Sequence, residues 1–464
     1  MSSQDKSSSR ETPPAEGKSE IGSLLANRYE VVRELGKGGM GVVYLCRDLA
    51  TGERVALKRL RIPEDKSAQR QEETFWFHQE ARAVASLEHP AIVRARDFGQ
   101  LADGSPYLVM DVLPGRSVHE WMYTTKMPFS LVWALVDQVL AGLAHAHARG
   151  VIHGDLKPSN VMLDVATGGS KGARAYILDL GLAWLRAPRH DPRLDGAPAP
   201  EASMHSGAGT VGWVAPEQIR RAATLVGPAT DLYALGCIIY RVLVGKEVFE
   251  GNAQEVLRAH KRTPVPPLDL PPDVPQGVSS FVQKLLAKKP WHRFEYAADA
   301  RRAWAAYRPA HTAAMEDVIA TAPAVRAAPA SSRPALGVAV AAAQSLTPGL
   351  LSLRPSPMIA REDERAKLWQ IVLAVCGAPA RSAYARRMVA IIGEAGVGKS
   401  RLAEWLCEQA HEQGMMVPLR ARYGRIATPL DGITGAVNQY FGLEGADRAL
   451  VEQTLMQRWE VDPK

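Results

Sequence analysis

The chain has 464 residues, 46% of them hydrophobic and 23% charged, which gives apolar mass for two or three packed cores and rules out a single small domain. Its formal charge of +7 is dispersed along the sequence instead of gathered in a basic block, so nucleic acid is not expected as a partner. Cys46, Cys237, Cys376 and Cys407 show no C-x-x-C spacing and read as reduced thiols. The most apolar small-residue run, Gly337 to Ala343, falls well short of the roughly 20 residues of a membrane span, and no signal peptide is apparent, so a cytoplasmic protein without a membrane span is expected.

In chain order, residues 1–27 are rich in Ser, Glu, Lys and Pro and predict a disordered tail. From Tyr29 the sequence turns to β-branched runs: Tyr29 to Val32, Val42 to Leu45, Val55 to Leu57 and Tyr107 to Met110, separated by turn residues. These predict a strand-rich first lobe. After Leu113, apolar residues recur at three- and four-residue steps, as in Leu131, Leu135, Val139 and Leu143 and again from Leu232 to Val244, predicting a helical second lobe. Residues 309–357 are rich in Ala, Pro and Ser and read as a linker. Beyond it, Arg361 to Val375 predicts a helix, Met388 to Ile392 a short strand, and Arg401 to His411 another helix.

The chemistry is carried by motifs in a fixed order. Gly36, Gly38 and Gly41, within Leu35-Gly36-Lys37-Gly38-Gly39-Met40-Gly41, lie between two strand-like runs, where glycines let a hairpin close over a triphosphate. Val55-Ala56-Leu57-Lys58 ends a strand in a lysine that can hold α- and β-phosphates, and Glu80, in the helical stretch Thr74 to Leu87, can pair with it. His153-Gly154-Asp155-Leu156-Lys157-Pro158-Ser159-Asn160 packs a carboxylate, an ammonium and an amide into one loop, the set needed to orient a hydroxyl, neutralise a phosphoryl group and hold a cation. Asp179-Leu180-Gly181 and Ala215-Pro216-Glu217 follow. His145 and His147 sit two apart on a helix, a spacing that does not bring them face to face, so packing is expected of them and not a metal site.

In this order the motifs resemble those of bacterial eukaryotic-type serine/threonine protein kinases, over residues 28–308. The resemblance implies an α+β bilobal protein kinase fold, with a β-rich N-lobe and a helical C-lobe, ATP and Mg²⁺ as cofactors, and protein substrates bearing Ser or Thr; a homodimer for activation is compatible with it. It implies that Asp155 receives the substrate proton, that Lys157 steadies the phosphoryl group, and that Asn160 and Asp179 hold Mg²⁺. Lys58 and Glu80 form the supporting pair, Met110 is the gatekeeper, and Asp111 to Leu113 are the hinge, with Val43 and Ala56 covering the adenine. Thr210 would touch Asp155, Asp231 would anchor the catalytic loop, and Glu217 and Arg293 match a buried ion pair. Two departures stand out. Gly154 occupies the place of an arginine that in many kinases binds an activation-loop phosphate, so activity without that phosphate is expected. Leu180 stands where Phe is usual, an apolar exchange.

Gly393-Glu394-Ala395-Gly396-Val397-Gly398-Lys399-Ser400 is G-x-x-x-x-G-K-S between a predicted strand and a predicted helix. Backbone N–H groups and the helix N-terminus would cradle phosphates, with Lys399 on the β/γ oxygens and Ser400 on Mg²⁺. With Ala360-Arg361-Glu362-Asp363-Glu364 it resembles the AAA/STAND ATPase modules, although that family usually has Gly in place of Ala360. No apolar strand ending in acidic residues follows Leu402, so residues 358–464 read as a partial α/β P-loop NTPase domain without its hydrolytic carboxylates. Three readings stay open: an active kinase, a pseudokinase scaffold, and a nucleotide switch led by the C-terminal module. The presence of Lys58, Asp155, Asn160 and Asp179 together favours the first.

Overall fold

In a computed structural model, residues 20–38, 41–60, 87–124, 126–165, 172–179, 184–185, 211–220, 225–309, 358, 361–377, 387–394, 396–419, 421, 432 and 436 are described. The N-terminal part is a six-stranded antiparallel sheet, formed by β1 (Leu24–Leu25), β2 (Tyr29–Gly38), β3 (Gly41–Asp48), β4 (Arg54–Leu60), β5 (Ala95–Gln100) and β6 (Pro106–Asp111) in the order β1-β2-β3-β4-β6-β5. Tyr29, Val31, Cys46, Val55, Leu57 and Val109 alternate onto one face and build its core. Residues 20–27, expected to belong to a disordered tail, are instead ordered. Gly22 N–H donates to the Val31 carbonyl, Leu25 pairs with Tyr29, and the Leu25 side chain is buried, so local pairing offsets the polar composition. Residues 1–19, the predicted helix around Glu80 and the predicted linker apart from residue 309 lie outside the described residues.

The second lobe is helical. A short β7 (Arg116–Ser117) leads to α1 (Val118–Thr124) and then to α2 (Phe129–Ala148), whose Leu131, Leu135, Val139, Leu140 and Leu143 are buried. There follow β8 (Val151–Ile152), β9 (Val161–Asp164), β10 (Arg174–Ile177) and β11 (Trp184–Leu185), then α3 (Pro216–Ile219), α4 (Pro228–Val244), α5 (Ala253–Arg262), α6 (Gly277–Leu285) and α7 (Ala297–Trp304). One core joins α1, α2, α4, α6 and α7 beneath the small β7-β9-β10 sheet. The helix α2 is long and apolar enough to cross a membrane by length and composition, with a mean hydropathy of 1.4, but 72% of that stretch is buried inside the lobe. It is the lobe's central core helix. The sequence reading passed over it because Asp137, Gln138, His145 and His147 interrupt the apolar run.

Two further helices lie in the C-terminal part, α8 (Glu362–Cys376) and α9 (Lys399–Glu412), close to their predicted spans. The strand predicted at Met388 to Ile392 does not form. Apart from the half-buried Ile391 those residues are exposed, Met388 at 99% and Ile392 at 91%, and no strand among the described residues pairs with them. Apolar residues make a strand only where a neighbour takes up their backbone groups.

Buried histidines give the kinase-like lobe a pH signature. Burial and the neighbouring Lys288 ammonium push His260 down to about 4, and burial with the adjacent His145 ring pushes His89 down to about 4. An unfolded histidine titrates near 6.5, so below that pH the unfolded chain binds protons that the native one does not. The stability these groups contribute is present above about pH 6.5 and is lost toward about pH 4, at roughly 1.4 kcal/mol per pH unit for each group. Thermal melts between pH 7 and pH 5 are expected to show a falling midpoint. His260→Gln, lacking one such group, should give a flatter profile, and an unchanged slope would remove His260 from the account.

Candidate active site

The glycine hairpin forms as β2 and β3, with Gly36 opposite Val43, Lys37 opposite Val42, and Gly38 opposite Gly41. Gly39 and Met40, at its tip, lie outside the described residues. Gly41 is required by backbone geometry: its φ is +152°, and a Cβ there would sit 2.0 Å from the Arg59 carbonyl oxygen of β4. Any side chain would push the hairpin off the sheet. Leu35 is exposed on the hairpin flank.

Below the hairpin, Ala56, Val93 and Met110 form a small apolar cluster, joined by Val43, Leu108, Leu113 and Leu178. It includes the residues predicted to cover adenine, and Leu108 joins it to the core of the helical lobe. Met110 is buried opposite Ala56 on the neighbouring strand, and Asp111 N–H donates to the Arg94 carbonyl at 3.1 Å. The Asp111 carboxylate pairs with Arg96. Its side chain is thus committed to the sheet, and Asp111 to Leu113 stand as the strap between the lobes.

Lys58 lies within β4, which continues to Leu60 beyond the strand end expected at the lysine; it is buried, and its Nζ lies 2.8 Å from Asp179 Oδ1. Glu80, its predicted partner, lies outside the described residues. Asp179 takes φ +51°, one of three non-glycine residues at positive φ among those described. Such a conformation persists only where surrounding bonds over-determine it. The preceding residue supplies them: Leu178 N–H donates to the Asn160 carbonyl at 2.8 Å, and the Leu178 carbonyl accepts from His153 Nε2 at 2.9 Å.

The loop after β8 is held from three sides. His153 Nδ1 accepts from Asp155 N–H at 3.3 Å, which leaves the ring proton on Nε2 for Leu178. Asp231, in the first turn of α4, accepts from His153 N–H at 2.9 Å, from Gly154 N–H at 2.8 Å, and from His147 Nε2 at 2.9 Å. Gln218 Nε2 donates to the Gly154 carbonyl at 2.7 Å. Gly154 has φ +73°, so glycine here relieves a left-handed backbone that would cost another residue about 1–2 kcal/mol. Within the loop, Lys157 Nζ lies 2.6 Å from Asp155 Oδ2, and Asn160 Nδ2 donates to the Asp155 carbonyl at 2.9 Å.

Glu217 and Arg293 form a fully buried bidentate pair at 2.8 and 2.9 Å. Thr230 Oγ donates to Glu217, and Arg293 donates further to the Ala229 and Ala287 carbonyls, so every charged edge is satisfied. Thr210, Leu180, Ser203 and Ser206 lie outside the described residues.

A protein kinase domain profile matches residues 29–304. The chain belongs to the protein kinase domain family. Among its relatives are serine/threonine-protein kinase PrkC of Bacillus subtilis, 32% identical over 60% of this chain and 40% of its own length, and serine/threonine-protein kinase Pkn1 of Myxococcus xanthus, 35% identical over 63% and 40%. Serine/threonine-protein kinase PknA of Mycobacterium tuberculosis is 31% identical over 75% of this chain and 78% of PknA. The chain thus spans about two fifths of the length of PrkC and Pkn1.

Sequence reasoning missed three residues of this kinase domain: His153 as the ring tying Asp155 to Leu178, Gln218 as the second tether of Gly154, and His147 as the third donor to Asp231. The signal for His153 and Gln218 was within reach, in the loop and in the residue after Glu217. That for His147 was hidden, because its partner lies 84 positions away. Asp231→Asn should keep one acceptor oxygen and turn an N–H₂ toward a donor, costing about 1–3 kcal/mol of stability. Activity is expected to fall with little change in ATP KM; a variant with wild-type melting and turnover would refute the anchoring role.

Proposed function

We propose that this chain is a serine/threonine protein kinase that transfers the γ-phosphate of ATP to protein hydroxyls, its own among them, in signalling. The observation that carries this reading is the Lys58–Asp179 pair spanning the two lobes beside a loop that presents Asp155, Lys157 and Asn160. PrkC, Pkn1 and PknA are each serine/threonine-protein kinases by name, which supports the choice of acceptor, as does lysine two places after Asp155.

The donor set fits ATP with Mg²⁺. Asn160 spends its N–H₂ on the Asp155 carbonyl, which leaves its amide oxygen, and Asp179 adds a carboxylate; oxygen atoms of this kind suit a hard divalent cation. When bound, Mg²⁺-ATP supplies the transferable phosphoryl group and neutralises charge as the group moves. Lys58, held by Asp179, places an ammonium for the phosphates. Asp155 orients the attacking hydroxyl and receives its proton, while Lys157, now on the Asp155 carboxylate, is in reach to move onto the transferring group. Val43, Ala56 and Met110 exclude water from the base.

For the C-terminal part we propose a nucleotide site of the AAA/STAND-like P-loop kind. In support, α9 starts at Lys399 directly after Gly398 at φ +87°, and Lys399 Nζ donates to the Gly393 carbonyl at 2.9 Å and to the Glu394 carbonyl at 2.6 Å. The ammonium thus closes over its own loop, and Ser400 is exposed in the first turn beside it. Arg361 of the acidic-basic box donates to the Val397 carbonyl at 2.9 Å, tying α8 to the loop.

With labelled ATP, Mg²⁺ and a generic protein acceptor, Asp155→Asn is expected to abolish incorporation; labelling that persists would point to another mechanism. Replacing both Ser203 and Ser206 with Ala should leave activity within about tenfold, or 1.4 kcal/mol, of the parent. A larger fall would show that activity depends on an activation-loop phosphate despite Gly154.

A further inference from the structure

The last turn of α2 points two histidines at two different carboxylates. His147 reaches inward to Asp231, the anchor of the catalytic loop. His145 reaches the other way, its Nδ1 lying 3.1 Å from Glu412 Oε2 at the end of α9. Arg149, the residue that caps α2, donates to the same Glu412 oxygen at 3.1 Å and lies 3.5 Å from Glu408. Burial opposes the charge on Glu412, yet its contacts with His145 and the Arg149 guanidinium outweigh it and draw the carboxyl down to about 2. Alongside, the His411 ring stands edge-on to Tyr296 at 4.3 Å, and Arg302 donates to the Gly414 carbonyl. Gly414 lies so close to α7 that a Cβ there would meet the Arg302 guanidinium at 2.6 Å.

The other end of the same helix is the 393–400 loop. A helix of 14 residues is a stiff rod about 21 Å long, so an anchored far end constrains how its first turn can be aimed. Only Gly150 and β8 separate Arg149 from His153.

We propose that α9 is a coupling strut. Docked through Glu412, it fixes Arg149 and the end of α2 and so holds the root of the catalytic loop, while nucleotide on the 393–400 loop works against that docking and slows the kinase. The second half rests on the nucleotide reading of that loop; the first half does not. With α9 docked, Lys399 is tied to the Gly393 and Glu394 carbonyls, whereas phosphates require Lys399 to leave them and the loop N–H groups to converge. A helix pinned at its far end resists that re-aiming. Docking and nucleotide therefore compete, and by linkage each weakens the other by one common factor.

Glu412→Arg in the full chain should lower kcat by about fivefold or more, about 1 kcal/mol in the barrier, with KM for ATP unchanged. Arg149→Glu combined with Glu412→Arg should recover most of that loss, which a mere packing defect would not. Circular dichroism melts confirm that each variant is folded. An unchanged kcat in Glu412→Arg, or no recovery in the folded double variant, overturns the strut. Labelling with an acyl phosphate of ADP, whose acyl group passes to a lysine amine at the phosphates with release of ADP, read by mass spectrometry of the peptides holding Lys399 and Lys58, separates the two nucleotide sites. In Glu412→Arg, half-labelling of the 393–400 peptide should need about fivefold less probe. Labelling with the same or weaker affinity overturns the competition, and no labelling of that peptide in the parent chain sinks the nucleotide reading while leaving the strut to the kcat test.

Discussion

A single buried carboxylate holds the catalytic loop in place. Asp231 is 1% exposed, and stripping water from its charge costs several kcal/mol unless its lone pairs are met. They are met by two consecutive backbone N–H groups, of His153 and Gly154, and by the His147 ring. Its place in the first turn of α4 adds the favourable field of the helix N-terminus. The neighbouring residues of that turn serve the second buried charge system: Thr230 Oγ donates to Glu217, and the Ala229 carbonyl accepts from Arg293. One helical turn thus fixes both the loop that carries Asp155 and the ion pair behind it. The geometry of the Asp155 loop is set by residues of the helix behind it.

From that anchor the bonds run outward to the other lobe. His153 is held by Asp231 at its backbone and passes the restraint through its ring to Leu178, and Leu178 delivers Asp179 in a left-handed backbone to Lys58. The parallel bridge between Ile92 and Ile177 ties the strand before Asp179 to the segment entering β5. Asp179 is where the strain collects, since it is the one residue here asked both to leave the usual backbone region and to meet a cation from the opposite lobe.

Most of this was legible in the sequence because its carriers are local. The glycine spacing, the V-A-x-K strand end, the catalytic loop and the Asp179 turn each lie within about ten residues, and their order fixed the bilobal fold. Even Asp231, Glu217 and Arg293 could be placed, by resemblance. The strand β5, Ala-Arg-Asp-Phe-Gly-Gln, escaped notice because its charged and glycine residues hide the alternation; it forms because β6 lies beside it. His147 and Glu412 escaped because their partners lie 84 and 267 positions away, a separation that no local pattern records. The strand at Met388 to Ile392 failed for the converse reason. Its composition was right, but β structure is a property of pairs, and the described residues hold no pair for it.

That failure bears on how α9 is stabilised at all. An isolated helix of 14 residues is marginal in water. Here Leu402, Ala410 and His411 are nonetheless buried, and the surfaces that bury them belong to α8 and to the C-lobe: Arg365 stacks on Trp405, Tyr296 meets His411, and Arg149 and His145 take the Glu412 carboxylate. Among the described residues, the far end of α9 is thus buried by the kinase lobe. A helix that owes its order to a neighbouring domain cannot change its setting without that neighbour registering the change, because the contacts that stabilise the one are the contacts that position the other.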